Sequence, residues 1–208
     1  MRCFIAGAGD YCGFVAPEQS DYIIAADGGY AELVSRGITP DLVVGDFDSL
    51  GDAPEHPNIL RCPVEKDDTD MMIAVSQGLG RGYKTFVIDG GSGGRLDHTY
   101  ANLQILVYIS RKGARGYLLG RDMSATAITN GAFSFPAGAT GRVSVFCAGD
   151  IAKGVTITGL KYTLDNAELT CEYPIGVSNE FIGTPAEISV RGGTLLIMWT
   201  GSLEVIYA

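Results

Sequence analysis

The segment Leu42-Val43-Val44-Gly45-Asp46-Phe47-Asp48-Ser49 joins an apolar run to a pair of carboxylates. The apolar run predicts a buried strand over residues 41–45. Asp46 and Asp48 stand on alternate residues, so in an extended chain their side chains project to the same side. Two such carboxylates repel each other unless a proton or a cation lies between them, and their oxygens suit a hard ion such as Mg²⁺. A solvated acidic turn is the alternative explanation of this motif taken alone.

Two neighbouring stretches place similar residues after a strand or before a helix. The predicted strand Tyr22–Ala26 is followed by Asp27-Gly28-Gly29 and then a helix, and paired glycines let a backbone approach a ligand closely. A plain tight turn is the alternative there. Lys66-Asp67-Asp68-Thr69-Asp70 precedes an amphipathic helix. Helix capping explains one or two of these acids and leaves the rest of the cluster unexplained.

A fourth motif follows the predicted strand Thr85–Asp89. It is the glycine-rich run Gly90-Gly91-Ser92-Gly93-Gly94-Arg95-Leu96-Asp97-His98, which leads into a long helix. Arg95 can hold a phosphate or a polar heterocycle, and Asp97 can accept a proton or bind a metal. Ligands of an open parallel sheet bind beyond the carboxyl ends of its strands. Four acidic or glycine-rich motifs at that edge therefore predict a metal–nucleotide site.

The second part of the chain has a different pattern of predicted secondary structure. Strand–helix alternation stops near residue 120, and short β-type runs separated by glycine follow. We expect an N-terminal Rossmann-like α/β domain with a parallel sheet over residues 1–120. We expect a C-terminal β-sandwich domain, jelly-roll-like, over residues 121–208. A polar turn over residues 176–181 is unremarkable as a hairpin.

Composition limits the partners and the compartment. The formal net charge of −9 over 208 residues argues against nucleic acid or an anionic membrane as a partner. No apolar stretch approaches the roughly 20 residues of a membrane span. The 5 cysteines are widely spaced and form no C-x-x-C motif, which favours reduced thiols in a cytoplasmic protein.

Taken as a set, the motifs resemble the thiamine pyrophosphokinase family, whose members move pyrophosphate from ATP to the hydroxyl of thiamine. The matching stretches occur in the family's order and cover both parts of the chain. They are Ala26-Asp27-Gly28-Gly29, Pro40-Asp41 with Gly45-Asp46-Phe47-Asp48-Ser49, Lys66-Asp67-Asp68-Thr69-Asp70, Gly90-Gly91 with Gly94-Arg95-Leu96-Asp97-His98, and Ser178-Asn179-Glu180.

The resemblance implies an α/β nucleotide domain followed by a β-sandwich domain, paired as a homodimer with thiamine held between the subunits. It also implies three groups of site residues. The Mg²⁺ ligands, which hold the ion against the ATP phosphates, are Asp46, Asp48 and Asp70. The nucleotide-binding residues are Asp27, Gly28, Gly29 and Asp67. The residues around thiamine and the transferred group are Arg95, Asp97, Ser178 and Asn179.

We assign mechanistic roles within that set as a hypothesis. Asp97 orients or deprotonates the thiamine hydroxyl, and Lys66 or Arg95 stabilises the phosphoryl oxygens. One departure concerns the tryptophan that animal-type members stack on the thiamine pyrimidine. Trp199 is displaced by about two positions from the place where Ile197 aligns, and such a shift keeps the same strand face.

Two other functions remain open from the sequence. One is a metal-dependent nucleotide phosphohydrolase that uses the same acids with water as the nucleophile. The other is a non-enzymatic protein that binds thiamine or a nucleotide.

Overall fold

The chain folds into two compact units. A computed structural model describes residues 2–11, 15–46, 56–62 and 67–200. Unit 1 comprises Met1–Asn102 and Leu118–Arg121, and unit 2 comprises Leu103–Tyr117 and Asp122–Ala208. Residues 103–117 thus pack with unit 2 although they precede position 120. The domain boundary at residue 120 stays a prediction.

Unit 1 is built on a parallel sheet with the strand order β5-β1-β2-β3-β4. Its strands are β1 Cys3–Ala6, β2 Tyr22–Ala26, β3 Leu42–Gly45, β4 Ile59–Arg61 and β5 Thr85–Asp89. Its helices are α1 Gly29–Ser35, α2 Asp70–Gly80 and the first part of α3 Leu96–Arg111. The side chains of β1, β3 and β5 are buried on both faces of the sheet. A strand that is buried on both faces needs apolar residues at successive positions, which explains why these sequences are continuous apolar runs.

Unit 2 contains the rest of α3 and two groups of strands. One group has the order β12-β9-β14-β7-β6 and the other the order β11-β10-β13-β8. The strands are β6 Arg115–Leu118, β7 Ser124–Thr129, β8 Ala132–Phe135, β9 Arg142–Cys147, β10 Ile151–Thr158, β11 Leu164–Thr170, β12 Asn179–Glu180, β13 Ala186–Ser189 and β14 Thr194–Trp199.

Aromatic side chains connect the two groups of strands in unit 2. The ring of Trp199 on β14 lies 5.8 Å from Phe133 and 5.6 Å from Phe135 of β8, measured between centroids. Phe135 also contacts Phe181 edge to face at 4.9 Å. All three β-strand aromatics are buried, so this cluster is part of the core of unit 2.

Most strands lie where the apolar runs predict them, and two lie outside the predicted pattern. The first is β6 Arg115–Leu118, which lies where the sequence showed only the end of the strand–helix alternation. The second is β12, in which Asn179 pairs with Val143 of β9. A two-residue polar strand has no hydrophobic period of its own, so its position depends on β9 rather than on local sequence.

Two further predictions concern compartment and membrane. Among the described residues, no helix is both long and apolar enough to cross a membrane. Cys3, Cys147 and Cys171 carry free thiols.

Candidate functional site

Unit 1 contains a cavity of about 540 Å³ where β1, β2 and β5 end. Five segments supply the described part of its lining: the loop after β1, the end of β2, the residues at the start of α2, the glycine-rich run that leads into α3, and the first turns of α3. The cavity is therefore at the carboxyl edge of the parallel sheet, where the four motifs predict a ligand. Its volume lies within the usual range of small-molecule sites.

Two glycine-rich loops form one wall of the cavity by pairing backbone to backbone. Gly7 N–H donates to Asp89 O at 2.8 Å, and Gly9 N–H donates to Gly90 O at 2.6 Å. The pairing continues where Asp10 N–H donates to Ser92 O at 2.8 Å. A Cβ atom on Gly7 would lie 2.5 Å from Gly90 O, so the close approach of the two backbones excludes a larger residue there.

The Asp27 motif joins β2 to α1 beside the end of β3. Asp27 lines the cavity with φ +50°, a left-handed conformation that aspartate tolerates better than most residues. Its N–H donates to Val44 O at 2.8 Å, two residues before Asp46. Gly28 precedes the helix, and Gly29 opens it against the carbonyl of Ala6, where a Cβ would collide with backbone.

The second acidic motif lies at the amino end of α2. Thr69 caps this helix, since its Oγ1 accepts a hydrogen bond from Met72 N–H at 3.2 Å. Asp70 is the first helical residue and lines the cavity, whereas Asp67 lies on the exposed turn before the cap. The positive end of the helix dipole favours a carboxylate at this position.

The structure thus brings Asp27 and Asp70 to one cavity and places Asp46 directly after β3, the neighbour of β2. Asp48 and Lys66, which complete the predicted catalytic set, lie outside the described residues. Within the described ranges, no group of three or more His, Cys, Asp or Glu side chains is arranged to hold a metal ion. The three-aspartate Mg²⁺ site therefore stays a prediction, because one of its ligands falls outside the description.

Arg95 and Asp97 form an ion pair at the start of α3. Arg95 Nη2 donates to Asp97 Oδ2 at 2.6 Å, and both side chains are mostly exposed to solvent. The hydrogen bond from Arg95 holds the pKa of Asp97 below its usual value, and it raises the pKa of Arg95. Arg95 lines the cavity together with His98, one turn further along the helix.

Two cavity residues were missed by the sequence analysis. Asp10 lines the cavity and directly follows Gly7-Ala8-Gly9, a G-x-G run after β1 that is weak evidence for a phosphate site by itself. Asn102 is buried, and its Nδ2 donates to Gly91 O at 2.6 Å, which fixes the glycine-rich run against α3. The signal for Asn102 was its spacing, four residues after His98 on the same face of the helix.

The two predicted thiamine-binding residues of unit 2 are Ser178, which directly precedes β12, and Asn179, the first residue of β12. Ser178 adopts φ +61°, and its N–H donates to Ser144 Oγ at 3.1 Å. Asn179 is only 6% exposed. Its Oδ1 accepts from Tyr162 N–H at 2.9 Å, and its Nδ2 donates to Tyr162 O at 2.6 Å. The Asn179 side chain is thus directed at the backbone of Tyr162, a residue that is 61% exposed.

Neither candidate for stacking on thiamine is on the surface of unit 2. Ile197 is fully buried, and Trp199 is 1% exposed within the aromatic core described above. The Trp199 Nε1–H is buried and has no hydrogen-bond acceptor among the described residues. The question of which residue stacks on the pyrimidine therefore stays open for both.

Comparison with known proteins identifies two family domains along the chain. The model of the thiamin pyrophosphokinase catalytic domain matches residues 16–118, which include most of unit 1 and the cavity-lining residues from Ala26 to Asn102. The model of the thiamin pyrophosphokinase vitamin B1 binding domain matches residues 136–195 in unit 2.

Individual relatives agree with these matches. A thiamine pyrophosphokinase of Bacillus subtilis is 27% identical over 182 residues, covering 84% of this chain and 85% of the relative. The crystal structure of a Bacillus subtilis thiamine pyrophosphokinase superposes with a TM-score of 0.84 at 24% identity, over 98% of this chain and 100% of the other. A thiamin pyrophosphokinase family protein from Enterococcus faecalis superposes with a TM-score of 0.80 at 26% identity, over 97% and 100% of the two chains. The chain belongs to the thiamine pyrophosphokinase family.

Proposed function

We propose that this protein transfers pyrophosphate from ATP to the hydroxyl group of thiamine and releases thiamine diphosphate and AMP. The observation that carries this proposal is the order of two family domains along one chain, catalytic over residues 16–118 and vitamin B1 binding over residues 136–195. Most residues that line the cavity at the carboxyl edge of the parallel sheet lie within the catalytic match, and the cavity supplies a place for the nucleotide.

ATP occupies the cavity of unit 1 in this proposal. The paired loops after β1 and β5 present backbone without side chains at Gly7, Gly9 and Gly90, so a polyphosphate can approach the main chain closely. Asp27, with Gly28 and Gly29 behind it, lines the nucleotide side of the cavity. This arrangement supports a Rossmann-like description of unit 1.

Asp46, Asp48 and Asp70 are the proposed ligands of Mg²⁺. Carboxylate oxygens from separate elements fit this ion, which in proteins commonly bridges one or two carboxylates and substrate phosphates. When bound, Mg²⁺ supplies neutralisation of the charge that develops on the phosphoryl oxygens. Lys66 or Arg95 is the proposed source of positive charge beside the phosphoryl oxygens, and Asp67 is a further proposed nucleotide-binding residue.

Asp97 is the proposed partner of the thiamine hydroxyl. A carboxylate whose pKa is held low by Arg95 is a weak base, so its main contribution is to orient the hydroxyl for attack on the β-phosphorus of ATP. The proton of the hydroxyl passes to Asp97 or to solvent as AMP leaves.

Unit 2 supplies the thiamine-binding part of the proposal, since it carries the vitamin B1 binding match. Ser178 contacts thiamine, and Asn179 acts by fixing the backbone beside it, because the hydrogen bonds of its side chain go to Tyr162. The contacts between β8 and β14 side chains support a β-sandwich description of this unit.

A homodimer with thiamine at the subunit interface completes the proposal. Large apolar side chains are exposed in the described part of both units: Leu96 and Tyr100 on α3, and Tyr173, Ile175 and Ile182 in unit 2. Exposed apolar groups of this kind are typical of surfaces that a partner covers. The small-molecule partners are ATP and thiamine, and the acidic net charge supports the absence of nucleic acid and anionic membrane among them. A cytoplasmic location remains part of the proposal.

The experiment that separates this function from its rivals measures AMP released from ATP and Mg²⁺ with and without thiamine. The kinase requires thiamine for AMP release and forms thiamine diphosphate. A phosphohydrolase releases nucleotide product in both mixtures. A binding protein releases none, although calorimetry detects both ligands.

A further inference from the structure

The glycine-rich loops after β1 and β5 have a second face, turned away from the cavity. On the cavity side they are lined mainly by glycine, so few side chains there hold them in place. Gly90 adopts φ +66°, a conformation that only glycine takes without strain. Backbone of this kind loses much conformational freedom on folding, so other groups must stabilise it if it is to be rigid before a ligand binds.

Tyr11 contacts both loops from this second face. Its hydroxyl donates a hydrogen bond to Gly7 O at 2.6 Å. Its ring lies so close to Gly90 that a Cβ atom built on Gly90 would be 2.5 Å from the Tyr11 Cζ. Burial raises the pKa of this phenol, which therefore stays protonated and keeps its donor at neutral pH. The Arg36 guanidinium carbon lies 5.9 Å from the centre of the same ring.

Asp89 stabilises the same two loops through hydrogen bonds to their backbone. This last residue of β5 has no exposed surface, yet it carries a carboxyl group. One oxygen accepts from Gly90 N–H at 2.9 Å, and the other accepts from Val15 N–H at 3.4 Å. Its backbone carbonyl also accepts from Gly7 N–H at 2.8 Å. Asp89 therefore bonds to the chain on both sides of the β1 loop as well as to the β5 loop.

The carboxyl group of Asp89 is costly to bury, and its neighbours compensate only partly. Burial raises its pKa, whereas the two backbone N–H donors and the charge of Arg36 lower it. Glu32 of α1 raises it further and is itself paired with Arg36. Neither Tyr11 nor Asp89 lines the cavity among the described residues, so any effect on a ligand must pass through the loops.

We propose that Tyr11 and Asp89 are positioning residues for the nucleotide: they hold the two glycine-rich loops in their binding geometry before ATP arrives. The ligand class, a nucleoside triphosphate, rests on the proposed function. The bracing of the loops does not, because it is a property of the protein without ligand.

The test compares Tyr11→Phe with a matched loss of a hydroxyl elsewhere in unit 1. Tyr11→Phe removes the donor to Gly7 O and keeps the ring against Gly90. Tyr22→Phe is the control, because Tyr22 lies at the other end of β2 with its ring stacked on Tyr83 at 5.5 Å between centroids. Asp89→Asn is the second variant, since it keeps the shape of the side chain and turns one of its two acceptors into a donor. Circular dichroism and thermal unfolding verify that each variant folds.

Two measurements are made on the full chain: exchange of individual backbone amides by NMR without ligand, and the dissociation constant of ATP by calorimetry without thiamine. We expect Tyr11→Phe to speed exchange at the Gly7 and Gly9 amides and to weaken ATP binding about fivefold, the usual effect of one lost hydrogen bond. We expect Asp89→Asn to speed exchange at the Gly90 amide and to weaken ATP binding as well. Turnover at saturating ATP stays within about twofold of the wild type, because neither residue contacts the reacting atoms.

The proposal is overturned if Tyr11→Phe leaves both the amide exchange and the ATP dissociation constant at the values of Tyr22→Phe. It is also overturned if turnover falls while the ATP dissociation constant is unchanged. A wild-type protein that makes no thiamine diphosphate refutes the proposed function alone, since amide exchange still decides whether these residues brace the loops.

Discussion

The Arg95 guanidinium donates to both carboxylate oxygens of Asp97, at 2.6 Å from Nη2 to Oδ2 and 3.2 Å from Nε to Oδ1. Arg95 lines the cavity, so this ion pair joins a cavity residue to the group proposed to orient the thiamine hydroxyl. The pair is exposed to solvent, which makes it adjustable when substrates bind.

Asp97→Asn should lower turnover by roughly 10²-fold, the loss that a misplaced reacting group causes, because the thiamine hydroxyl is no longer oriented. Because Arg95 holds the Asp97 pKa below its usual value, the carboxylate is ionised across neutral pH. The loss should therefore be the same factor at every pH between about 6 and 9. Steady-state rates over this range check it, with Asp150→Asn in an exposed turn of unit 2 as the control. The prediction is contradicted if the wild-type rate changes with pH near neutrality and this pH dependence is lost in Asp97→Asn, because Asp97 would then titrate in that range.

Asp70→Asn tests the proposed metal site through the ligand that lines the cavity. Loss of one carboxylate should raise the Mg²⁺ concentration needed for half-maximal rate by about 10-fold or more, while ATP binding without Mg²⁺ changes little. A magnesium titration of the initial rate measures this. The control is Asp68→Asn, two residues earlier on the exposed turn before the Thr69 cap. Equal Mg²⁺ requirements in the wild type and Asp70→Asn would remove Asp70 from the ligand set.

Gly7→Ala should abolish tight nucleotide binding because the new methyl group would lie 2.5 Å from Gly90 O and force the paired loops apart. Overpacking of this kind costs about 1–3 kcal/mol of unfolding free energy. Gly80→Ala, at the end of α2 with open space around its Cα, should be neutral or stabilising by up to roughly 1 kcal/mol. Urea unfolding and ATP calorimetry compare the two. Wild-type ATP affinity in Gly7→Ala would mean that the loops tolerate separation.

Asn179→Ala distinguishes a structural role of this residue from contact with thiamine. The change removes the part-buried hydrogen bonds from Asn179 to the Tyr162 backbone, so the N–H and C=O groups of Tyr162 lose that partner. The unfolding free energy should fall by about 1–3 kcal/mol in the absence of any ligand. Chemical denaturation of the ligand-free protein measures it. If stability is unchanged and only the KM for thiamine rises, Asn179 acts on the ligand instead.

The sequence predicted the first unit well because its signals are local. Apolar runs bounded by glycine or aspartate became β2 and β5 at the predicted residues, and the acidic cluster led into α2. The cavity also follows from sequence order, since parallel strands bring successive loops to one edge.

The remaining features depend on contacts between distant residues. Strand β12 exists because Asn179 pairs with β9, and its own two polar residues carry no period. Asn102 lies at the cavity because its side-chain amide donates a hydrogen bond to Gly91 O, which connects α3 to the glycine-rich run. Trp199 is in the core of unit 2 because Phe133 and Phe135 pack against it, which strand periodicity alone does not reveal.

The most direct test of the central claim is ³¹P NMR of the full chain with ATP, Mg²⁺ and thiamine. Transfer of pyrophosphate predicts that AMP and the two coupled resonances of thiamine diphosphate grow in equal amounts. ADP with thiamine monophosphate, or orthophosphate in place of thiamine diphosphate, would contradict it.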